Sequence, residues 1–202
     1  MIVKDAWSYL VPLLISGVLA MALGLYTVGI LLLLVAAFVA FFFRNPKREI
    51  PSDPRIIVSP ADGRVVRIER AGNTTSLSIF LSIFDVHVNR SPMAGRIESI
   101  DYKRGIFKPA FNHAASVENE RNTIMVSQGG LNIVFTQIAG IIARRIVCWK
   151  KVGDTVGKGE LVGLIRFGSR VDVLFPAGTT VTVPHGARVR GGSSPIGIIE
   201  EE

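Results

Sequence analysis

A chain of 202 residues has room for one folded domain plus an anchor, and not for two full domains. Its formal net charge is +7, yet it has no dense Lys/Arg run and no basic stripe interleaved with aromatics, which argues against nucleic acid as the partner. An anionic membrane explains the sign more simply, since each juxtamembrane base gains about 1 kcal/mol at such a surface.

Residues 9–43 run almost without charge, from Tyr9 through Phe43. A single helix of that length would be roughly 50 Å long against a hydrocarbon core of about 30 Å. Two short helices turning near Gly24–Thr27 fit better, so the expectation for 1–43 is an α-helical membrane hairpin. A cleaved signal peptide fits worse, because the apolar run is too long and ends in Phe41-Phe42-Phe43. Lys4 before the run and Arg44, Lys47 and Arg48 after it predict that both ends stay on the cytoplasmic side of the cell (inner) membrane. The single cysteine, Cys148, agrees with a reducing compartment.

Residues 44–55, rich in proline and charge, read as a linker, and 56–202 as a mostly β domain. Short runs of Val, Ile, Leu and Phe bounded by turn residues predict strands. They lie over Arg64–Glu69, Ser76–Phe84, Arg96–Tyr102, Thr123–Val126, Leu131–Ile138, Leu161–Phe167, Val171–Phe175 and Thr179–Val183. Only 110–120 and 140–146 have room for a short helix.

The domain also repeats itself. Pro60-Ala61-Asp62-Gly63-Arg64-Val65 matches Pro92-Met93-Ala94-Gly95-Arg96-Ile97, and Gly153-x-x-Val156-x-x-Gly159 matches Gly186-x-x-Val189-x-x-Gly192. Glycines at fixed offsets in β sequence supply positive φ in hairpin turns. The pattern predicts a barrel-sandwich-like domain with lipoyl-type hairpins. A non-catalytic, membrane-tethered lipoyl-like adaptor is the competing reading, but no acceptor lysine stands at a hairpin tip.

Between two aliphatic strands stands the pair Gly168-Ser169. Glycine weakens a strand interior, so the pair marks either a bulge or a strained, reactive backbone. Five blocks in order set its context: FFRNPKR at 42–48, SPADGRV at 59–65, FLSIFDVHVNRSPMAGRI at 80–97, NHAASVENERN at 112–122, and KGELVGLIRFGSRVDVLFP at 158–176. With these the chain resembles the short form of the pyruvoyl-dependent, self-cleaving phosphatidylserine decarboxylase family.

That resemblance implies autocatalytic cleavage between Gly168 and Ser169. The serine hydroxyl attacks the preceding carbonyl, the resulting ester is split by β-elimination, and the dehydroalanine left behind hydrolyses to a pyruvoyl group. This covalent cofactor forms a Schiff base with phosphatidylserine, and decarboxylation gives phosphatidylethanolamine. The two fragments stay associated, and a homo-oligomer is compatible with the pattern. A second GGSS run at 191–194 occupies the place of Gly159-Glu160 in the repeat and reads as a hairpin turn. Archaetidylserine, with the same head group on different tails, is the alternative substrate.

The resemblance also implies His87 as the base that activates Ser169, with Asp62 orienting it. Many long-form members carry a second histidine three residues on, where this chain has Arg90. Arg90 and Arg121, with Lys108, are candidates for the lipid phosphate, since arginine pairs phosphate oxygens bidentately. His113 is a candidate second proton carrier at the substrate. The three histidines lack the spacing of a metal site, so no metal is expected.

Overall fold

A computed structural model describes residues 1–105, 119–140, 145–166 and 169–200. The expected helices at 110–120 and 140–146 fall largely outside these residues. Two compact units divide the chain, Met1–Lys47 and Arg48–Glu202.

The first unit is a helical hairpin of α1 (Trp7–Ala22) and α2 (Tyr26–Phe42). The chain reverses at Gly24, whose φ of +80° suits glycine. The helices cross closely at Gly17 and Gly29, and a Cβ on Gly29 would lie 2.9 Å from the Gly17 carbonyl oxygen. Ile15, Val18, Leu19, Leu31 and Leu34 stay exposed on the outer faces. The helical stretch Lys4–Ala22 is long and apolar enough to cross a membrane, whereas the 17 residues of α2 are shorter, about 26 Å at 1.5 Å per residue. Backbone bonds from Val3 N to Phe43 O (3.1 Å) and from Asn45 N to Met1 O (2.7 Å) close the base of the hairpin.

The second unit is all β among the described residues. In chain order the strands are β1 (Ile56–Val58), β2 (Gly63–Ala71), β3 (Thr74–Leu81), β4 (Val88–Arg90), β5 (Gly95–Lys103), β6 (Arg121–Gln128) and β7 (Leu131–Ala139). They continue as β8 (Ile146–Cys148), β9 (Thr155–Val156), β10 (Leu161–Ile165), β11 (Ser169–Leu174), β12 (Thr179–Val181), β13 (Arg188–Val189) and β14 (Pro195–Ile199). An antiparallel eight-stranded sheet runs β13-β2-β3-β11-β7-β6-β5-β9, with three-stranded sheets β1-β14-β12 and β4-β10-β8 beside it. Leu77, Ile79, Ile97, Ile124, Phe135, Val171 and Val173 fill one continuous core.

The strand order is a palindrome about the β11/β7 pair. β1 through β3 match β4 through β6, and β11 through β14 match β7 through β10. The matched details are close. Both β2 and β5 shift register two residues after their first glycine, between Val65/Arg67 and Ile97/Ser99. Gly192 N donates to Ser59 O and Gly159 N to Ser91 O, each at 2.8 Å. Ser59 Oγ and Ser91 Oγ donate to Ala61 O and Met93 O at 2.6 and 2.7 Å. The GGSS run therefore forms the same turn as its counterpart at 158–160.

One repeat is continuous, from β4 to β10; the other is interrupted to receive it. Residues 128–131 close β6 onto β7 as a tight hairpin, with Gln128 opposite Leu131. At the equivalent place Leu81 is opposite Ser169, and the whole first repeat lies between them. Residues 82–84, expected to continue a strand, instead form a turn held by Asp85, whose carboxylate accepts from Ser82 N (2.8 Å) and Ser82 Oγ (2.7 Å).

Gly63 and Gly95 fix the matched turns by close approach, because a Cβ would sit 2.2 Å from Phe80 O or 2.4 Å from Ser127 O. Gly95→Ala is expected to lower unfolding stability by more than about 1 kcal/mol, since the strand must move. Gly157→Ala, whose nearest atom is a Glu160 side-chain oxygen at 3.6 Å, should change it far less. Thermal unfolding of the two variants side by side tests the difference.

Candidate active site

Ser169 is the first residue of β11, hydrogen-bonded between β3 and β7, opposite Leu81 on one side and Ala139 on the other. Directly opposed residues share a face, so Ser169, Val171, Ala139, Gln137 and Asn122 all project into the core side of the sheet. The serine is fully buried, and its Oγ has no hydrogen-bond partner among the described residues. A buried hydroxyl without a partner costs about 1–3 kcal/mol, so a structural role does not account for it.

His87 sits just before β4, on the connection that leaves the interrupted repeat. It is 1% exposed, and its Nδ1 lies 3.0 Å from the Asp85 carbonyl oxygen. A carbonyl only accepts, so Nδ1 carries the proton and Nε2 of the neutral ring is the basic nitrogen. The His87 carbonyl in turn accepts from Ile165 N at 3.3 Å, four residues ahead of Ser169. The foot of β4, which bears the imidazole, therefore lies beside the end of β10, four residues ahead of the serine.

A line of buried amides crosses the same interior. Asn122 Nδ2 donates to Gln137 Oε1 at 2.9 Å, and Gln137 Nε2 donates to Asn89 Oδ1 at 2.9 Å. Asn89, in β4, is two residues after His87, and Gln137 is directly opposite Val171, two residues beyond Ser169.

Asp62, in the turn before β2, has other partners. Both its oxygens pair with Arg48 NH2, at 2.9 and 2.8 Å, and Oδ1 accepts from Gly191 N at 2.8 Å. Its hydrogen bonds thus go to Arg48 and the glycine turn, while the Asp85 carbonyl takes the His87 Nδ1. Burial raises the Asp62 carboxyl above its ordinary value, and the Gly191 amide and Arg48 oppose this only in part. Asp62 and Asp85 line an open cleft of about 570 Å³ together with Arg188, Arg190, Ser193 and Ser194. Arg188 reaches within 3.7 Å of Asp85.

Of the candidate phosphate ligands, Arg90 and Arg121 are among the described residues. Arg90 is half-buried, its NH1 donating to Gly159 O at 2.8 Å, and burial together with neighbouring Arg48 holds its pKa below the ordinary value. It braces two turns. Arg121 is opposite Ile138 and Lys103, on the sheet face away from Ser169. Gly168, Lys108 and His113 lie outside the described residues. No group of three or more His, Cys, Asp or Glu among the described residues is arranged to hold a metal.

A family model for phosphatidylserine decarboxylase matches residues 35–197. The chain belongs to the phosphatidylserine decarboxylase family. A phosphatidylserine decarboxylase proenzyme from Solibacter usitatus is 53% identical over 165 residues, covering 82% of this chain and 80% of its own. Proteins of the same name from Carboxydothermus hydrogenoformans and Symbiobacterium thermophilum are 45% and 41% identical, each spanning more than nine-tenths of both chains. Membership makes the chain a decarboxylase, a carbon–carbon lyase.

Within this decarboxylase the residues that sequence reading missed are Arg48, Asn89, Gln137 and Asn122. A signal for two of them existed: Gln137 and Asn122 occupy inward positions of strands whose other inward residues are apolar, such as Phe135 and Ile124.

The raised Asp62 carboxyl has a pH signature. An acid whose folded pKa exceeds its unfolded one stabilises the fold below the unfolded value and loses that stability as pH rises. The melting temperature of the wild type relative to Asp62→Asn should therefore fall as pH climbs from below 3.8 through the raised value. A difference that stays flat or rises over that window contradicts the assignment.

Proposed function

We propose that this protein cleaves itself before Ser169 and, with the pyruvoyl group so formed, decarboxylates phosphatidylserine to phosphatidylethanolamine at a membrane surface. The observation that carries this reading is the fully buried hydroxyl of Ser169 at the head of β11, without a partner among the described residues, with a buried histidine at the foot of β4. A serine of this kind fits a precursor of a prosthetic group, since no described residue bonds its hydroxyl as it stands.

His87 is the base for the hydroxyl proton. Its Asp85 partner fixes the tautomer that leaves Nε2 able to accept. Asp62 and Arg48 act one layer out, holding the glycine turn at 191 and the negative wall of the cleft. When present, a pyruvoyl group supplies a carbonyl that captures the substrate amine and accepts the electron pair released as the carboxylate leaves. The cleft offers two carboxylates and two guanidiniums within one opening, which complements a head group carrying an ammonium and a phosphate.

After cleavage the short fragment, residues 169–202, would stay bound without a covalent link. β11 is paired on both edges, β12 and β14 lie in the sheet with β1, and β13 pairs with β2. The helical hairpin would insert in the cell (inner) membrane with the β unit on the cytoplasmic side, keeping the site at the surface where a two-tailed substrate resides.

Denaturing mass spectrometry of the purified protein should show two species, the smaller beginning at residue 169 with a blocked N-terminus. Under native conditions both should elute together. Ser169→Ala should give one intact species, and vesicles of phosphatidylserine should yield carbon dioxide and phosphatidylethanolamine only with the cleaved form. A single intact wild-type chain that still releases carbon dioxide would defeat the processing step.

A further inference from the structure

The amide line Asn122–Gln137–Asn89 has a direction and an open end. Each link is a donated bond, from Asn122 Nδ2 to Gln137 Oε1 and from Gln137 Nε2 to Asn89 Oδ1, both at 2.9 Å. Spending Oδ1 on Gln137 fixes the orientation of the last amide, and its NH2 becomes the free terminus. Asn89 is fully buried, and its Nδ2 has no hydrogen-bond partner among the described residues. Gln137 is fully buried and Asn122 1% exposed, so the line exchanges nothing with solvent.

An enclosed donor without an acceptor costs about 1–3 kcal/mol and needs an explanation. Ser169 Oγ also lacks a hydrogen-bond partner among the described residues; the serine is on the same sheet face as Gln137 and two residues from Val171, which is opposite Gln137. One orphan is a nucleophile and the other a donor. Neither satisfies the other in the resting chain, as expected if both serve an atom that becomes charged only during reaction. Preorganised donors in a dry site are the usual means of stabilising such charge.

We propose that Asn89 is a catalytic residue of self-cleavage: its side-chain NH2 donates to the oxyanion formed when Ser169 Oγ adds to the carbonyl on its N-terminal side. This rests on the processing reading above. The step balances simply. The hydroxyl proton passes to His87, the new C–O bond forms, and the carbonyl π pair moves onto oxygen. Collapse of that oxyanion breaks the C–N bond, and the proton returns to the freed nitrogen, leaving an ester. Asn89 neither gains nor loses a proton. Gln137 and Asn122 are positioning residues, acting only by holding the Asn89 amide with its NH2 outward.

The test follows cleavage itself, by pulse-labelled cell-free synthesis of the full chain with phospholipid vesicles and denaturing electrophoresis. Asn89→Ala should slow fragment appearance by about 10²–10³-fold, the usual effect of losing one oxyanion donor. The chain that accumulates should resist neutral hydroxylamine, which cuts esters, because the block precedes the ester. Asn89→Asp keeps the acceptor for Gln137 and gives a distinguishing profile. As a carboxylate it has no donor and should be slow at alkaline pH, whereas the protonated acid can donate, so its cleavage should recover on acidification relative to wild type. If Asn89→Ala fails to fold, as judged by its melting curve, Asn89→Asp alone decides. Wild-type rates in either folded variant, or rapid fragmentation of the accumulated chain by hydroxylamine, overturn the assignment. A wild type that never cleaves defeats the processing reading, and Asn89's role with it.

Discussion

Ser169 is held by its register. As the first residue of β11 it is bonded to β3 on one side and β7 on the other, so its side chain has one direction available, into the core. The residue before β11 leads back to β10, which belongs to a different sheet.

Placing polar groups in this interior works against stability. His87, Asn89, Asn119, Asn122, Gln137 and Ser169 are all nearly inaccessible, in a core otherwise built of aliphatic residues. Most are compensated, since Asn122, Gln137 and Asn119 find acceptors and His87 has the Asp85 carbonyl. Ser169 Oγ and Asn89 Nδ2 are left without a partner among the described residues. Folded proteins rarely tolerate such a deficit except where chemistry uses it.

Much of this was legible in the sequence, for physical reasons. The long strands announce themselves by alternation, and the hairpin helices by uninterrupted apolarity. The internal repeat showed through its glycines because a side chain at Gly63 or Gly95 would collide with a carbonyl, leaving little freedom to vary. The short strands β1, β4, β8, β9 and β13 were not legible, since two or three residues carry no periodicity and their pairing is decided by distant partners. The same limit applied to the side chains. Arg121 looked like a phosphate ligand, but strand parity turns it to the far face, and only the register reveals that. Asp62 was legible as a turn residue and as a family acid, whereas its engagement with Arg48 depends on a contact 14 residues away.

The palindrome explains why chemistry sits in one repeat and not in both. In the continuous repeat, Gln128 and Leu131 are joined by Gly129-Gly130, a turn with no room for a site. In the interrupted repeat the corresponding ends, Leu81 and Ser169, each pass to the inserted half. That insertion replaces one hairpin turn by two connections, 82–87 and 166–168. It also makes a cut there cheap. β10 and β11 share no hydrogen-bond ladder, so severing the bond between them removes no strand pairing, while β11 keeps both neighbours. The fold thus offers a break it can survive, and the topology that puts Ser169 at the head of β11 provides it.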